Sequence, residues 1–312
     1  MGETPTFTAA KPPKRRINWR PYVWILPGLV MLVALLFYPI IFSSLLSLFD
    51  WNGYRRDIFE IFVGLDNYIA LAQDPRFLKA LVNTLLFVFF AITLQLGGAL
   101  LLAIFIYLGE FRGASWLRGV IFFPSVLSAV VVGITWRNVM FLRGGLIHQV
   151  TTAFDLPNFF PLGDPDFAVL TIILVAMWQG TGFNLVIFYA GLQALENEVV
   201  ESAQIDGAGF WQVIVRIIVP LQVHVILVSV ILNIIGGIQI FDLVFVLSNG
   251  PIKLTHAADV LSTYMIFNSF AASAIGGGQS RLGYAAAIAV VMMIIMLMFA
   301  ILRTRARKAI DY

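Results

Sequence analysis

Residues Tyr284–Leu302 read YAAAIAVVMMIIMLMFAIL and contain no charged side chain. A helix needs about 20 mainly apolar residues to cross the roughly 30 Å hydrocarbon core of a bilayer, and this stretch has that length. A backbone in lipid must satisfy its own hydrogen bonds, which an α-helix does. The stretch therefore predicts a transmembrane helix.

Five further apolar stretches precede this one. They are Tyr22–Leu48, Val82–Tyr107, Leu117–Phe141, Phe167–Leu192 and Ile214–Ile240. The last of them carries Pro220 near its start, which predicts a kink or a restart because proline lacks the N–H that the helix ladder needs. Together the stretches predict an all-α integral membrane protein with six transmembrane helices.

The composition agrees with a membrane protein and excludes several kinds of chemistry. Of the 312 residues, 60% are hydrophobic and 12% are charged, against about 45–50% and 25% in soluble domains. The lack of cysteine excludes disulfides and thiolate metal sites. No G-x-x-x-x-G-K-S/T segment occurs, so the chain has no phosphate-binding loop. The formal net charge of +3 is too small to indicate a nucleic-acid partner.

The predicted spans also lack ionisable groups. None of the six apolar cores holds Asp, Glu, Lys or Arg away from its ends. Carriers driven by protons or ions usually place such groups at membrane depth, where they are costly and functional. An ion-coupled carrier and a membrane-embedded enzyme are therefore the less favoured classes, and active transport would need energy from another subunit.

Basic residues at the two ends of the chain predict its orientation. They are Lys11, Lys14, Arg15, Arg16 and Arg20 before the first span, and Arg303, Arg305, Arg307 and Lys308 after the last. Because cytoplasmic segments carry an excess of Lys and Arg, six spans place both termini in the cytoplasm. We divide the chain into a tail (1–20), a membrane domain (21–303) with a cytoplasmic loop at 194–220, and a second tail (304–312).

That loop is unusual for a short connection between spans. Residues 196–220 read ENEVVESAQIDGAGFWQVIVRIIVP. Asn197 is a good N-cap for a short helix, Gly207 permits a sharp turn, and a second helix is expected to start near Gly209. Val199, Val200 and Ala203 would give the first helix an apolar stripe, which can pack into a groove on a partner protein. We expect a helix–turn–helix bracket at the cytoplasmic surface.

The bracket resembles the EAA motif of ATP-binding-cassette (ABC) importer permeases, in which E-A-A, a glycine and I-x-L-P follow at fixed spacing. The matching residues are Glu201, Ser202, Ala203, Gly207, Ile217, Val219 and Pro220. Ser202 and Val219 depart from the motif but remain small or apolar, and Asp206 before the glycine strengthens the match. The resemblance implies that the bracket couples the chain to an ATPase. The residues that it assigns to coupling are Glu201, Ser202, Ala203, Asp206, Gly207 and Pro220.

Segments elsewhere narrow the resemblance to carbohydrate-importer permeases of the maltose and glycerol-phosphate type. They are Phe62–Tyr68, Asp74-Pro75, Asn83–Leu85, Phe123–Ser125, Gly133–Arg137, Phe241-Asp242, Leu247–Pro251 and Gly283–Ala287. One departure is the single glycine before Pro251, where the family usually has two. The resemblance implies the six-helix transmembrane domain of type I ABC importers.

The resemblance also implies a set of partners. These are a homologous second permease, two cytoplasmic ATPase subunits, an extracytoplasmic sugar-binding protein and the lipid bilayer of the inner (cytoplasmic) membrane. ATP and Mg would bind to the ATPase, so the chain itself would hold no cofactor or metal and would not be an enzyme. The expected cargo is a di- or oligosaccharide, with glycerol phosphate or another polyol as the alternative.

The end of the fifth span has the chemistry that a sugar needs, namely amides and an aromatic face without charge in the span. The candidates for the substrate pathway are Asn233, Gly236, Gly237, Gln239, Phe241 and Asp242. Two adjacent glycines would weaken the helix and expose its carbonyls, as broken helices do at transporter sites. The alternative is that the glycines and Asn233 serve close helix packing.

A second polar patch lies in the fourth span. It comprises Trp178, Gln179, Thr181, Phe183 and Asn184. These side chains could line the same path, although packing between helices is the simpler role for them.

Overall fold

The computed structural model describes most of the chain. The described residues are 20–54, 61–109, 112–141, 144–155, 157, 161–195, 197–248, 256–271 and 279–310. The predicted tail up to residue 19 and the Asn249-Gly250-Pro251 part of the outer motif lie outside them. The chain divides into two compact units, Met1–Ser43 and Ser44–Tyr312.

The first unit is dominated by helix α1. It runs over Arg20–Leu32, a π-helical turn at Val33–Phe37 and Tyr38–Leu46. Its apolar part, Val23–Leu46, is long enough to cross a membrane.

In its described part the second unit is built of helices joined by short irregular segments, with an isolated antiparallel bridge between Phe49 and Phe62. Its helices are α2 (Asp66–Gln73), α3 (Pro75–Phe90, Ala91–Leu96 as a π turn, Gly97–Gly109), α4 (Ala114–Val126), α5 (Ala129–Thr135, π turn Trp136–Phe141), α6 (Leu146–Ala153) and α7 (Pro165–Gln193). They continue with α8 (Asn197–Ile205), α9 (Phe210–Val213, π turn Ile214–Ile218, Val219–Leu221), α10 (Val223–Gln239), α11 (Asp242–Leu247), α12 (Leu261–Ile266, π turn Phe267–Ala271) and α13 (Leu282–Ile310).

Six segments of the described chain are long and apolar enough to cross a membrane, which confirms the predicted number. They are Val23–Leu46, Pro75–Gly109, Ala129–Ala153, Pro165–Gln193, Val223–Leu247 and Leu282–Arg305. The kink predicted near Pro220 is also present, because α9 ends at Leu221 and α10 begins at Val223.

The third predicted span, Leu117–Phe141, is wrong as a single helix. Leu127 and Ser128 have extended backbone, with ψ of 142° and 136°, and they separate α4 from α5. The Leu127 carbonyl, which a continuous helix would satisfy internally, instead accepts a hydrogen bond from Gln179 Nε2 of α7 at 3.0 Å. A side chain of a neighbouring helix thus makes the break tolerable at membrane depth.

The described parts of the segments between the predicted spans, at 49–81, 142–166 and 241–283, contain helices as well. The pairs Asp74-Pro75 and Asp164-Pro165 each start a helix. Asp74 accepts a hydrogen bond from Arg76 N, and Asp164 accepts one from Asp166 N, both at 2.9 Å. An Asp N-cap followed by proline at the first helical position explains both starts.

Helix α7 contributes to two separate groups of buried apolar side chains. Its N-terminal half packs with α5 and α11 through residues such as Ile172 and Val244, and its C-terminal half packs with α3 through Phe188. Gly182 allows α4 to approach, since a Cβ at this position would lie 2.3 Å from the Ile121 carbonyl oxygen. Small residues at such crossings are the usual device for close helix packing in membranes.

Asp74 connects three helices at the N-terminal end of α3. Its Oδ2 accepts hydrogen bonds from the hydroxyls of Tyr264 in α12 at 2.5 Å and Tyr284 in α13 at 2.6 Å. Burial raises the pKa of Asp74. The hydrogen bonds from the two phenols and from the amides of Arg76 and Phe77 together lower it by more than burial raises it, so that the pKa lies below its ordinary value of 3.8. The ionised carboxylate is therefore the form that holds α3, α12 and α13 together.

We predict that Asp74→Asn lowers the free energy of unfolding by about 1–3 kcal/mol, because asparagine has a single acceptor oxygen and cannot both cap Arg76 N and accept from the two phenol hydroxyls, as the two carboxylate oxygens of Asp74 do. Thermal unfolding of the purified protein in detergent measures the loss. Asp164→Asn is the matched control, since asparagine keeps the N-cap and Asp164 has no phenol partner in the described structure. Equal melting temperatures for the two variants would contradict the role of Asp74.

The same contact predicts a pH dependence. Because the folded pKa of Asp74 is lowered, its contribution is fully present above the unfolded pKa near 3.9 and is lost as the pH falls through the folded value. Stability of the wild type should thus decline below about pH 4, and the Asp74→Asn variant should show a smaller decline.

Candidate functional site

The bracket predicted between the fourth and fifth spans is formed by α8, a tight turn and α9. Gly207 ends α8 with φ of +85°, and Ala208 N donates to the Ala203 carbonyl at 3.0 Å. This is the Schellman arrangement, in which a left-handed glycine closes the helix. Gly209 N then donates to Gln212 Oε1 at 2.9 Å, which fixes the start of α9.

The bracket turns one face inward and one face outward. Val200 is 5% exposed and packs with Ile104 and Val213 in the chain's own core. The prediction that Val200 serves a partner's groove is therefore wrong, because the residue already has apolar neighbours. On the outward side, Ile205 is 86% exposed, and Glu201, Ser202, Asp206 and Gly207 are also exposed.

A cavity of about 210 Å³ lies between α3, α7 and α10. Its walls are mostly apolar, with three amide side chains and two phenylalanines, and no charged residue is among the lining residues of the described chain. They are Phe87, Ala91, Gln95, Ile173, Ala176, Met177, Gly180, Phe183, Asn184, Leu232, Asn233, Gly236, Gly237 and Ile240.

The three amides form one hydrogen-bonded network across three helices. Asn233 Nδ2 donates to Asn184 Oδ1 at 2.9 Å, and Asn184 Nδ2 donates back to Asn233 Oδ1 at 3.2 Å. Gln95 Nε2 also donates to Asn233 Oδ1, at 3.3 Å. Amides that bond to one another are neutral, so the cavity presents polarity without charge.

Residues 61–311 match the family described as "Binding-protein-dependent transport system inner membrane component". The chain belongs to this family. The family and the six apolar helices make the protein a multi-pass membrane permease, and they confirm the resemblance and the fold predicted from the sequence.

Similar proteins are found over nearly the whole permease. It is 32% identical to the "Probable ABC transporter permease protein YurN" of Bacillus subtilis (strain 168), over 92% of this chain and 96% of that one. It is 29% identical to the "Lactose transport system permease protein LacF" of Rhizobium radiobacter, over 81% and 84%. A bacterial alginate ABC transporter, solved with an alginate pentasaccharide-bound periplasmic protein, matches with a TM-score of 0.77 at 22% identity, over 94% of this chain and 95% of that chain.

The structure brings together five of the six residues assigned to coupling in the permease. Glu201, Ser202, Ala203, Asp206 and Gly207 lie within α8 and its closing turn. Pro220 lies apart from them, at the end of α9 beside the kink. Its place suits the bend between the bracket and the fifth span rather than the bracket surface.

The residues predicted for the substrate pathway divide into two groups. Asn233, Gly236 and Gly237 line the cavity. Gln239 donates instead to Met296 Sδ of α13 at 3.7 Å, Phe241 stacks on Phe245 with ring centres 5.1 Å apart, and Asp242 is an exposed residue at the start of α11.

The break that was expected at the two glycines of the fifth span does not occur. Helix α10 continues through both to Gln239. A Cβ at Gly237 would lie 3.0 Å from Val88 Cγ2, whereas one at Gly236 would meet nothing within 4 Å. Gly237 therefore serves the contact with α3, and Gly236 leaves space at the cavity wall.

The polar patch of the fourth span divides in a similar way. Phe183 and Asn184 line the cavity, while Trp178 packs edge-on against Trp136 at 5.4 Å and Gln179 supports the α4–α5 break. The sequence reasoning missed Gln95 and Phe87 on α3. Gln95 was detectable as a polar residue between Leu94 and Leu96 in an apolar span.

We predict that Gly207→Ala loosens the bracket, because a side chain in the left-handed region costs roughly 1–2 kcal/mol. Hydrogen exchange at the amides of Asp206 and Ala208, which bond to Ser202 and Ala203, should become about 5–30 times faster. The control is Gly209→Ala, since Gly209 has an ordinary φ of −68°. Unchanged protection in Gly207→Ala would show that the turn does not need glycine.

Proposed function

We propose that this permease carries a sugar, a di- or oligosaccharide, through the cavity between α3, α7 and α10. The observation that carries the proposal is the lining, in which the amides of Gln95, Asn184 and Asn233 occur beside Phe87 and Phe183, with no charged group among the lining residues that the structure describes. Amides can bond to sugar hydroxyls, and an aromatic ring can pack on the apolar face of a sugar ring. The relative named for lactose transport supports the same cargo.

The alternative cargo, glycerol phosphate, fits this lining less well. A phosphate dianion in a low-dielectric site needs cationic partners, and the lining residues provide none. A cavity of about 210 Å³ suits one sugar ring, so the remainder of a longer sugar would extend towards the second permease.

The transporter would contain this chain, one homologous permease, two ATPase subunits on the cytoplasmic side and an extracytoplasmic sugar-binding protein. Both termini and the α8–α9 bracket would face the cytoplasm, in accordance with the basic residues at the chain ends. ATP and Mg would bind to the ATPase, and this chain would hydrolyse nothing. The alginate transporter solved with its periplasmic protein supports an assembly of this kind.

The kink between α9 and α10 offers a route from the bracket to the cavity. The bracket ends with α9, which is followed by α10, and α10 carries Asn233 and Gly236 on the cavity wall. Closure of the ATPases would move the bracket, and rigid-body rocking of the helices would expose the cavity to the opposite side. The different contacts that the bracket makes with open and closed ATPases would supply the driving force.

Reversal of the charge at Glu201 tests the coupling role. We expect Glu201→Lys to reduce co-purification of the ATPase and sugar uptake by about tenfold or more, which corresponds to ~1.4 kcal/mol or more of lost contact energy. Glu198→Lys is the control, because Glu198 is exposed on the same helix but lies outside the motif. Normal uptake by a fully expressed Glu201→Lys transporter would exclude the coupling role.

A ligand screen tests the cargo. The cognate binding protein is heated with lactose, maltose, diacetylchitobiose, arabinotriose or glycerol 3-phosphate, and uptake of each compound by the complete transporter is measured. We expect at least one sugar to raise the melting temperature and to be taken up. Stabilisation and uptake with glycerol 3-phosphate alone would overturn the sugar proposal.

A further inference from the structure

The three amides in the cavity differ in how much hydrogen-bonding capacity they have left. A carboxamide has two N–H donors and an oxygen with two lone pairs. Asn233 uses all four: its Nδ2 donates to Asn184 Oδ1 and to the Ser229 carbonyl, at 2.9 and 2.8 Å. Its Oδ1 accepts from Asn184 and from Gln95. Asn233 therefore cannot bind a ligand without giving up an existing bond.

Asn184 is nearly as fully used. Its Nδ2 donates to the Gly180 carbonyl at 3.4 Å and to Asn233 at 3.2 Å, and its Oδ1 accepts from Asn233. The side chain is also 3% exposed, so a ligand in the cavity has little access to the remaining lone pair. The Asn184–Asn233 pair, which we call the amide clasp, thus serves to join α7 to α10.

Gln95 is the exception. Its single hydrogen bond within the described chain is the one to Asn233, at 3.3 Å. Its Oε1 and its second N–H are left for another partner, and the side chain is half-buried at the cavity wall. Gln95 is thus the amide of the three with both a donor and an acceptor available.

Two features of the backbone place Gln95 in the cavity. It lies on the π turn Ala91–Leu96 of α3, and such a turn shifts the direction of side chains relative to a regular helix and often marks a functional site. Opposite it is Gly180 of α7, where a Cβ would lie 2.4 Å from Gln95 Nε2. The glycine therefore provides the space that the amide occupies.

We propose that Gln95 is the residue of this chain that binds a sugar hydroxyl and selects the substrate, and that the amide clasp positions it. The free Oε1 accepts from a hydroxyl, and the free N–H donates to the same or to a neighbouring one. The proposal rests on the proposed function, and it places the polar sugar contact on α3 rather than on the stretch of α10 to which the sequence points.

The first test is uptake by the complete transporter of the radiolabelled sugar from the panel that the wild type carries best. Gln95→Leu should raise KM about tenfold, as expected for the loss of one or two hydrogen bonds, with normal expression, normal ATPase assembly and little change in the maximal rate. Thr93→Val is the control, since Thr93 lies on the same π turn but does not line the cavity. Asn233→Leu should instead reduce thermal stability and assembly, because it removes the clasp.

The second test uses the cysteine-free chain. A charged methanethiosulfonate reagent should modify the Gln95→Cys variant, and the transported sugar should slow this reaction. The Asn184→Cys variant should react slowly with or without sugar, because the side chain at this position is buried.

The outcomes separate the two proposals. Unchanged KM in Gln95→Leu, or modification of Gln95→Cys that the sugar does not slow, would overturn the Gln95 contact while leaving the sugar cargo intact. Loss of assembly in Gln95→Leu, matching Asn233→Leu, would assign Gln95 to packing and also overturn the contact. Failure of the wild type to take up any sugar of the panel would overturn the proposed function itself.

Discussion

Backbone hydrogen bonding in a medium without water is the constraint on which this structure depends. Each helix that ends at membrane depth leaves carbonyls that lipid cannot satisfy. The chain meets this need with side chains from neighbouring helices. Gln179 bonds to the Leu127 carbonyl at the α4–α5 break, and Ser262 of α12 bonds to the Ile240 carbonyl where α10 ends. At each of these two breaks, a side chain of another helix therefore bonds to the carbonyl that the break leaves unpaired.

The same constraint explains why the cavity is polar but neutral. A polar group in the membrane core is tolerated when it is hydrogen-bonded, and the amide clasp satisfies Asn184 and Asn233 against each other. Gln95, which keeps hydrogen-bonding capacity for another partner, is compatible with folding because it retains one bond and faces an open space. Amides that look equivalent in the sequence thus differ in the structure, since two bond to each other and the third has a donor and an acceptor left.

Features that depend on local composition could be predicted from the sequence, whereas features that depend on contacts between distant residues were missed. Length and apolarity determined the six spans, and the missing N–H of Pro220 determined the kink before α10. The Asp74-Pro75 pair suits a turn as well as a helix start, so its role at the start of α3 needed the structure. The glycines at 236 and 237 were read as a break, yet α10 continues through both, and Gly237 instead lets α10 approach Val88 of α3. The position of Gln95 at the cavity wall depends on Asn233 and Gly180, which are distant from it in the sequence.

The reciprocal geometry of the amide clasp limits how the permease can move. Displacing α10 along α7 by one helical turn, about 5.4 Å, would break both Asn184–Asn233 bonds together, and Asn184 Oδ1 would lose the hydrogen bond that it accepts in the clasp. The clasp therefore opposes sliding of α10 along α7, and we expect the two helices to move together. The break in the helix at Gln222, between α9 and α10, lies between the clasp and the exposed surface of the bracket.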